Sequence, residues 1–287
     1  VSYTASGETR RRISHPNVER TDLRPDSRIA ELGNLMGKGF LLPAPILPTA
    51  RFRTLALPTP MSTGQSTLPV AALLYDSQGQ EVARHAFGRL ARDHASVLNV
   101  DDALSDLDTL PDGYGHLEFV YDFADGGEAD GWLHGLFRYE DRHTGHGADT
   151  SFGAHIFNTA LTFGAEPQSY SGPAPGLSTR LFLRVAPAPQ DAMCHLIYCA
   201  STPWRGASDT QLQLFDGDGA AVTERAVHIA CGGSLHWRYS EMFDAEARNR
   251  AGESGYVIIR DTTCRLFGYH GLYNGDASFS LDHMFGF

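Results

Sequence analysis

Short runs in which apolar and polar residues alternate recur along most of this chain. TLPVAALLYD (67–76), EVARHAFGRL (81–90), GHLEFVYD (115–122) and GWLHGLFRY (131–139) are rich in branched and aromatic residues and carry turn residues between them. Side chains alternate faces along a strand, so a period near two predicts half-buried β-strands. Asp-x-x-Gly at 76–79 and at 216–219 separates two such runs each time. Aspartate closes an Asx-type turn and glycine supplies the positive φ of a bulged hairpin.

Those two turns are also the key to a repeat. Displacing the chain by 140 positions lays LLYDSQGQEV (73–82) on QLFDGDGAAV (213–222), so that Leu74, Asp76, Gly79 and Val82 meet Leu214, Asp216, Gly219 and Val222. The same displacement sets Gly115 on Gly255 and brings GFLLPAPI (39–46) near TRLFLRVA (179–186). Further on, a displacement of 136 lays HGLF (134–137) on HGLY (270–273), and one of 128 lays HIF (155–157) on HMF (283–285). The first copy thus holds two insertions, the acidic DFADGGEADG (122–131) and a longer loop EDRHTGHGADT (140–150). The expected class is all-β: a tandem duplication of an immunoglobulin-like or jelly-roll β-sandwich. The copies span 38–157 and 178–287, and the Gly, Pro and Ser-rich segment within 158–177 reads as a linker. Residues 1–37 form a polar N-terminal arm, with a short helix expected over DSRIAELGNLMG (26–37).

Composition narrows the function classes. The formal net charge is −11, which argues against nucleic acid held on a basic surface. No run of about 18 apolar residues predicts a membrane span. No apolar segment follows the charges of VSYTASGETRRRISH, which sets the expectation of a cytoplasmic protein. All four cysteines, Cys194, Cys199, Cys231 and Cys264, fall in the second copy. A disulfide that stapled the module would recur in both copies, so thiols are expected.

Candidate chemistry gathers around histidine. His134 meets His270 and His155 meets His283 in the repeat, and each pair of strands forms a hairpin. In the second copy that hairpin is HGLYNGDASFSLDH; a two-residue Asn-Gly loop would leave His270 and His283 on one face, and a bulge would separate them. His143, His146 and Asp149 lie between the two histidines of the first copy, giving four histidines and an aspartate within 22 residues. Neutral imidazoles and a carboxylate that converge are ligands for a divalent transition metal such as zinc, iron or copper. The same histidines also fit a packing role, each satisfied by a backbone carbonyl. Asp122, Asp125, Glu128 and Asp130 do not have EF-hand spacing, and DDALSDLD (101–108) reads as a turn or short helix.

GxSxG, GxGxxG and GxxxxGK[ST] are all absent. Hydrolase-elbow and nucleotide-fold chemistry therefore have no signature here. The resulting expectation is a non-catalytic protein that binds or assembles through two β modules. Its partner is a protein, a glycan or a small ligand, and a homo-oligomer fits the same reading. Two alternatives stand beside it. One is a metal-dependent enzyme using His134, His143, His146, Asp149 and His155. The other is a carbohydrate-binding protein stacking sugars on Trp132, Trp204 or Trp237.

Overall fold

The computed structural model describes residues 2–5, 11–14, 24–25, 42–60, 66–92, 94, 96–104, 110–122, 131–156, 161–163, 166–167, 179–199 and 206–284. Two small pairings involve the arm and the linker region. Strands β1 (Ser2–Ala5) and β2 (Arg11–Ser14) form a hairpin, and β3 (Arg24–Pro25) joins two later short strands. The arm therefore contains β pairing where the sequence suggested only polar chain. The helix expected over 26–37, the strand ends at Phe157 and Phe285, Trp204 and most of the acidic insertion lie outside the described residues.

The body begins with β4 (Leu42–Ile46), β5 (Phe52–Pro60), β6 (Thr67–Asp76), β7 (Glu81–Ala91) and β8 (Leu98–Asn99). A one-turn helix α1 (Val100–Ala103) follows, then β9 (Gly115–Tyr121), β10 (Gly131–Asp141) and β11 (Gly147–Ile156). The short strands β12 (Leu161–Phe163) and β13 (Glu166–Pro167) pair with β3. The second half runs β14 (Thr179–Arg184), β15 (Gln190–Ile197), β16 (Thr210–Phe215), β17 (Ala221–Val227) and β18 (Ser234–Arg238). Helices α2 (Tyr239–Met242) and α3 (Ala245–Ala251) come next, followed by β19 (Tyr256–Asp261), β20 (Phe267–Asn274), β21 (Ser278–Phe279) and β22 (Asp282–His283). The protein is mostly β, and the paired strands are antiparallel.

Four larger sheets make the body. The first half has one sheet in the order β4-β9-β6-β7 and one in the order β11-β10-β5-β8. The second half has β14-β19-β16-β17 and β18-β15-β20-β21, with β22 also on β20. First and second strands β4 and β5 lie in different sheets. An immunoglobulin arrangement keeps its first two strands in one sheet, so the expected immunoglobulin-like order is not the one found.

Two hydrophobic cores hold the sheets. In the first, Leu68, Val70, Ala72, Leu74, Leu117 and Phe119 of one sheet meet Phe52, Ala56, Leu133, Phe137 and Tyr139 of the other. In the second, Leu181, Leu183, Leu212, Leu214, Val257 and Ile259 meet Ala192, Cys194, Leu196 and Trp237. The halves also pack on one another, because Met193, Ile197, Tyr269 and Tyr273 belong to the first core. Along β5 and β16 buried residues alternate with more open ones, so one face is open; along β6 and β15 nearly every residue is buried, so both faces are covered. The β6 and β15 sheets are therefore inner sheets, and the β5 and β16 sheets are outer ones.

Candidate binding faces

Among the described residues the candidate metal ligands do not converge on one point, although the register sets His134 and His155 on the same face of the hairpin. Ten residue pairs join β10 to β11, from Glu140 with Gly147 beside the turn to Gly131 with Ile156. His134 pairs with Gly153, six pairs beyond the turn-side pair. At about 3.3 Å per residue, it stands roughly 20 Å from the turn that carries His143 and His146. His155 pairs with Trp132 in register, and the side chains of both lie outside the described residues. His143 is exposed in the turn, His146 Nε2 lies 2.9 Å from the Phe279 carbonyl, and Asp149 sits 3.6 Å from Arg138. Among the described residues no group of three or more His, Cys, Asp or Glu is placed to hold a metal ion.

The second hairpin does not put its two histidines on one face. The second hairpin closes through Gly275, Asp276 and Ala277, with Asn274 opposite Ser278. Its pairs are then Tyr269 with His283 and His270 with Asp282, so His270 and His283 face opposite ways.

His270 and Asp282 line an open cleft of about 500 Å³ with Arg184, Gln190 and Ser280. Burial pushes the His270 pKa down, partly offset by Asp282. A neutral imidazole, an amide and a hydroxyl here can hydrogen-bond a small polar molecule.

A second polar cluster is sealed between the inner sheets. His116 Nε2 lies 3.2 Å from Glu118 Oε1, both buried, and the His116 ring stacks on Tyr75 at 5.1 Å. Tyr114 packs on His195 and His236 at 5.8 and 5.7 Å between centroids. Burial drives His195 well below its ordinary pKa and His236 down to about 4, with Arg238 adding to the latter. Burial, and then the Glu118 charge, raise the Cys199 thiol. Among the described residues no disulfide forms, and burial also raises the thiols of Cys194 and Cys264. Thiols held protonated and away from solvent are poor nucleophiles.

The outer sheets present the most unusual surface. On the β14-β19-β16-β17 sheet the outward row of β14 is Arg180, Phe182 and Arg184. Phe182 is 50% exposed and stacks on Tyr256 at 5.1 Å, which stacks in turn on Phe215 at 5.3 Å. Ile258, Gln211 and Gln213 continue this face, and Arg260 stands at its end. Arg180, Arg184 and Arg260 have no carboxylate partner among the described residues. On the β11-β10-β5-β8 sheet, Leu55, Leu57 and Leu136 lie on the outward rows, Leu136 being 38% exposed. Val97, next to β8 and in line with Leu57, is 57% exposed. Arg53, Arg138, Glu140 and Asp149 rim this patch in ion pairs. Sequence reasoning passed over both faces, although Phe182 on the polar row of TRLFLR was a readable signal. It also placed a sugar platform on Trp237, which is buried at 3% exposure.

No protein-family model matches the chain, and no curated protein matches it. Among solved structures, the C-terminal domain of the Streptococcus agalactiae AgI/II polypeptide BspA aligns over 82% of this chain and 85% of its own, at 10% identity and a TM-score of 0.21. Among the described residues no helix is long and apolar enough to cross a membrane.

Proposed function

We propose that this chain is a non-catalytic binding protein. On this reading it consists of two tandem β-sandwich copies, 38–157 and 178–287, packed as one rigid body that meets partners through its two outer sheet faces. Strand order supports the duplication: β4-β9-β6-β7 corresponds strand for strand to β14-β19-β16-β17, and β11-β10-β5-β8 to β21-β20-β15-β18. The turns support it too. Asp76 Oδ1 accepts from the N–H groups of Gln78 and Gln80 at 2.9 and 2.8 Å, Asp216 Oδ1 from those of Asp218 and Ala220 at 3.0 and 2.8 Å, and Gly79 and Gly219 share φ of +87°. A four-residue helix follows β8 and β18 alike.

One observation carries the binding reading. Among the described residues the exposed large hydrophobics are Phe182, Leu136 and Val97, and all three belong to the outer faces, within apolar patches rimmed by charge. Exposed apolar patches with polar rims are the usual composition of interaction surfaces. The test is binding of the chain to a neutral oligoglucan, to oligogalacturonate and to itself, compared with Phe182→Asp and Leu136→Asp variants of unchanged melting temperature. Whichever interaction is found should be lost in at least one variant. Interactions that survive both substitutions would sink the reading.

A further inference from the structure

The protein already contains one worked example of how its sheet faces mate. The outward face of the first inner sheet carries Ala71, Leu73, Tyr75, His116, Glu118 and Val120, all buried or half-buried, with Cys199 of the second half packed against its apolar residues. Beside it Tyr114 packs on His195 and His236 of the second inner sheet, while Met193, Ile197 and Tyr269 of that sheet join the first core, Tyr269 bonding the edge strand β4. By strand order, the counterpart of the first inner sheet is the second outer sheet, and the counterpart of the second inner sheet is the first outer sheet. Each buried face thus has an exposed counterpart at the opposite end of the molecule.

Building on the two-copy reading above, we infer that the second outer face, around Phe182, Tyr256 and Phe215, docks the first outer face of a second copy of this chain, so that chains associate head to tail. The docked turn gives independent support. Within one chain, Ser234 N donates to the Ser77 carbonyl at 3.0 Å, and a Cβ on Gly79 would come within 2.7 Å of the Cys231 carbonyl. The turn Asp76–Gly79 is thus seated on the loop before β18. The corresponding turn, Asp216–Gly219, has the same hydrogen bonds and the same φ at its glycine, yet Gly217, Asp218 and Gly219 are exposed.

Chemistry fits the same pairing. Aromatic rings on one face meet Leu55, Leu57, Leu136 and Val97 on the other. The rim of the first outer face holds Glu140 and Asp149 already paired with Arg53 and Arg138, so the match rests on the apolar contact and not on net charge. Rings and guanidinium groups would also suit an acidic sugar. A sugar on the second outer face leaves the aliphatic patch on the first without an occupant, whereas a second copy covers both. A contact that repeats an internal one is heterologous, so each docked chain presents a fresh face to the next, as stacked repeats do.

Sedimentation and light scattering over a range of concentrations test this. The weight-average mass of the wild-type chain should rise with concentration above the single-chain 31.3 kDa. Phe182→Asp and Leu136→Asp should each remain at the single-chain mass, since each removes one of the two faces. Mixed in equal amounts they should form a particle of twice that mass, through the one intact face that each retains. Circular dichroism confirms folding; Arg260→Glu and Val97→Asp serve the same comparison should either first variant misfold. A wild-type chain that stays monomeric throughout overturns the inference. So does a mixture that stays monomeric while wild type associates, and so does a single variant that still dimerises on its own, which would mean like faces pair with like. Should oligogalacturonate bind and depend on Phe182 while no self-association occurs, the inference fails and the binding reading stands.

Discussion

Asp141 ties several contacts to one carboxylate. It accepts from Arg51 Nε at 2.7 Å and from the N–H groups of His143 and Thr144 at 2.9 and 3.0 Å. Arg51 reaches on to the Gly275 carbonyl and lies over the Phe52 and Tyr273 rings, so the pair joins the two halves. Burial pushes the Asp141 carboxyl up, but Arg51 and the turn N–H groups outweigh it and hold the pKa at about 2. A depressed folded pKa stabilises fully above the unfolded value and less as pH falls through the folded one. Asp141→Asn should therefore lower stability by about 1–3 kcal/mol at neutral pH. Denaturation should show that gap shrinking as pH falls from about 4 toward 2. A gap that does not change with pH would contradict this account. His236 behaves in the same sense: its folded pKa near 4 lies below the unfolded value of about 6.5. Its share of stability is present above about pH 6.5 and is lost on the way to pH 4, with His195 and Arg238 beside it. The denaturant midpoint should fall over that window, and less steeply in His236→Gln; parallel slopes would remove the assignment. The sequence marked the turn aspartates Asp76 and Asp216 correctly because their hydrogen bonds are local. It could not tell which histidines share a face, because one residue in the second hairpin loop reverses His283 relative to His270.

Strands β6 and β15 differ from their neighbours in burying both faces. TLPVAALLYD and QDAMCHLI read as near-continuous apolar runs, and that is how a doubly covered strand looks in sequence. TRLFLR keeps a clean alternation, and its outward row stays open. The strands themselves were therefore legible, and so was the contrast between them. The partner of each second face was not, since nothing local says which distant sheet covers it. Leu73 points to the other half and Leu74 into the first core, yet both are buried at 1% exposure or less. Leu73→Ala and Leu74→Ala should each cost about 2–5 kcal/mol in urea denaturation. Phe182→Ala, on an open row, should change stability by no more than about 0.5 kcal/mol. A Leu73 substitution as mild as that at Phe182 would mean the inner sheets do not depend on one another.

The halves share a core, and this sets how the whole molecule unfolds. Residues 178–287 alone would expose Met193, Ile197, Tyr269 and Tyr273, all buried in the intact chain. Calorimetry should give one transition whose calorimetric and van't Hoff enthalpies agree. Two resolved transitions would show instead that the copies are independent. The strands and the two Asp-x-x-Gly turns were visible in sequence. The joining of the two halves was not, because the groups that join them, such as Ser77, Cys231 and Ser234, are ordinary residues until folding brings them together.

The edge strand β4 carries Pro43 and Pro45, neither of which has an N–H to give. Their carbonyls are also taken: the Tyr269 hydroxyl donates to Pro43 at 2.5 Å and the Tyr139 hydroxyl donates to Pro45 at 3.0 Å. An incoming strand would find neither donors nor acceptors at those residues. Strand β14, at the corresponding edge of the second half, has no proline. Of these two edges β14 is thus the one open to strand addition, and there the side chains of Arg180 and Arg184 are the deterrent to a docking backbone.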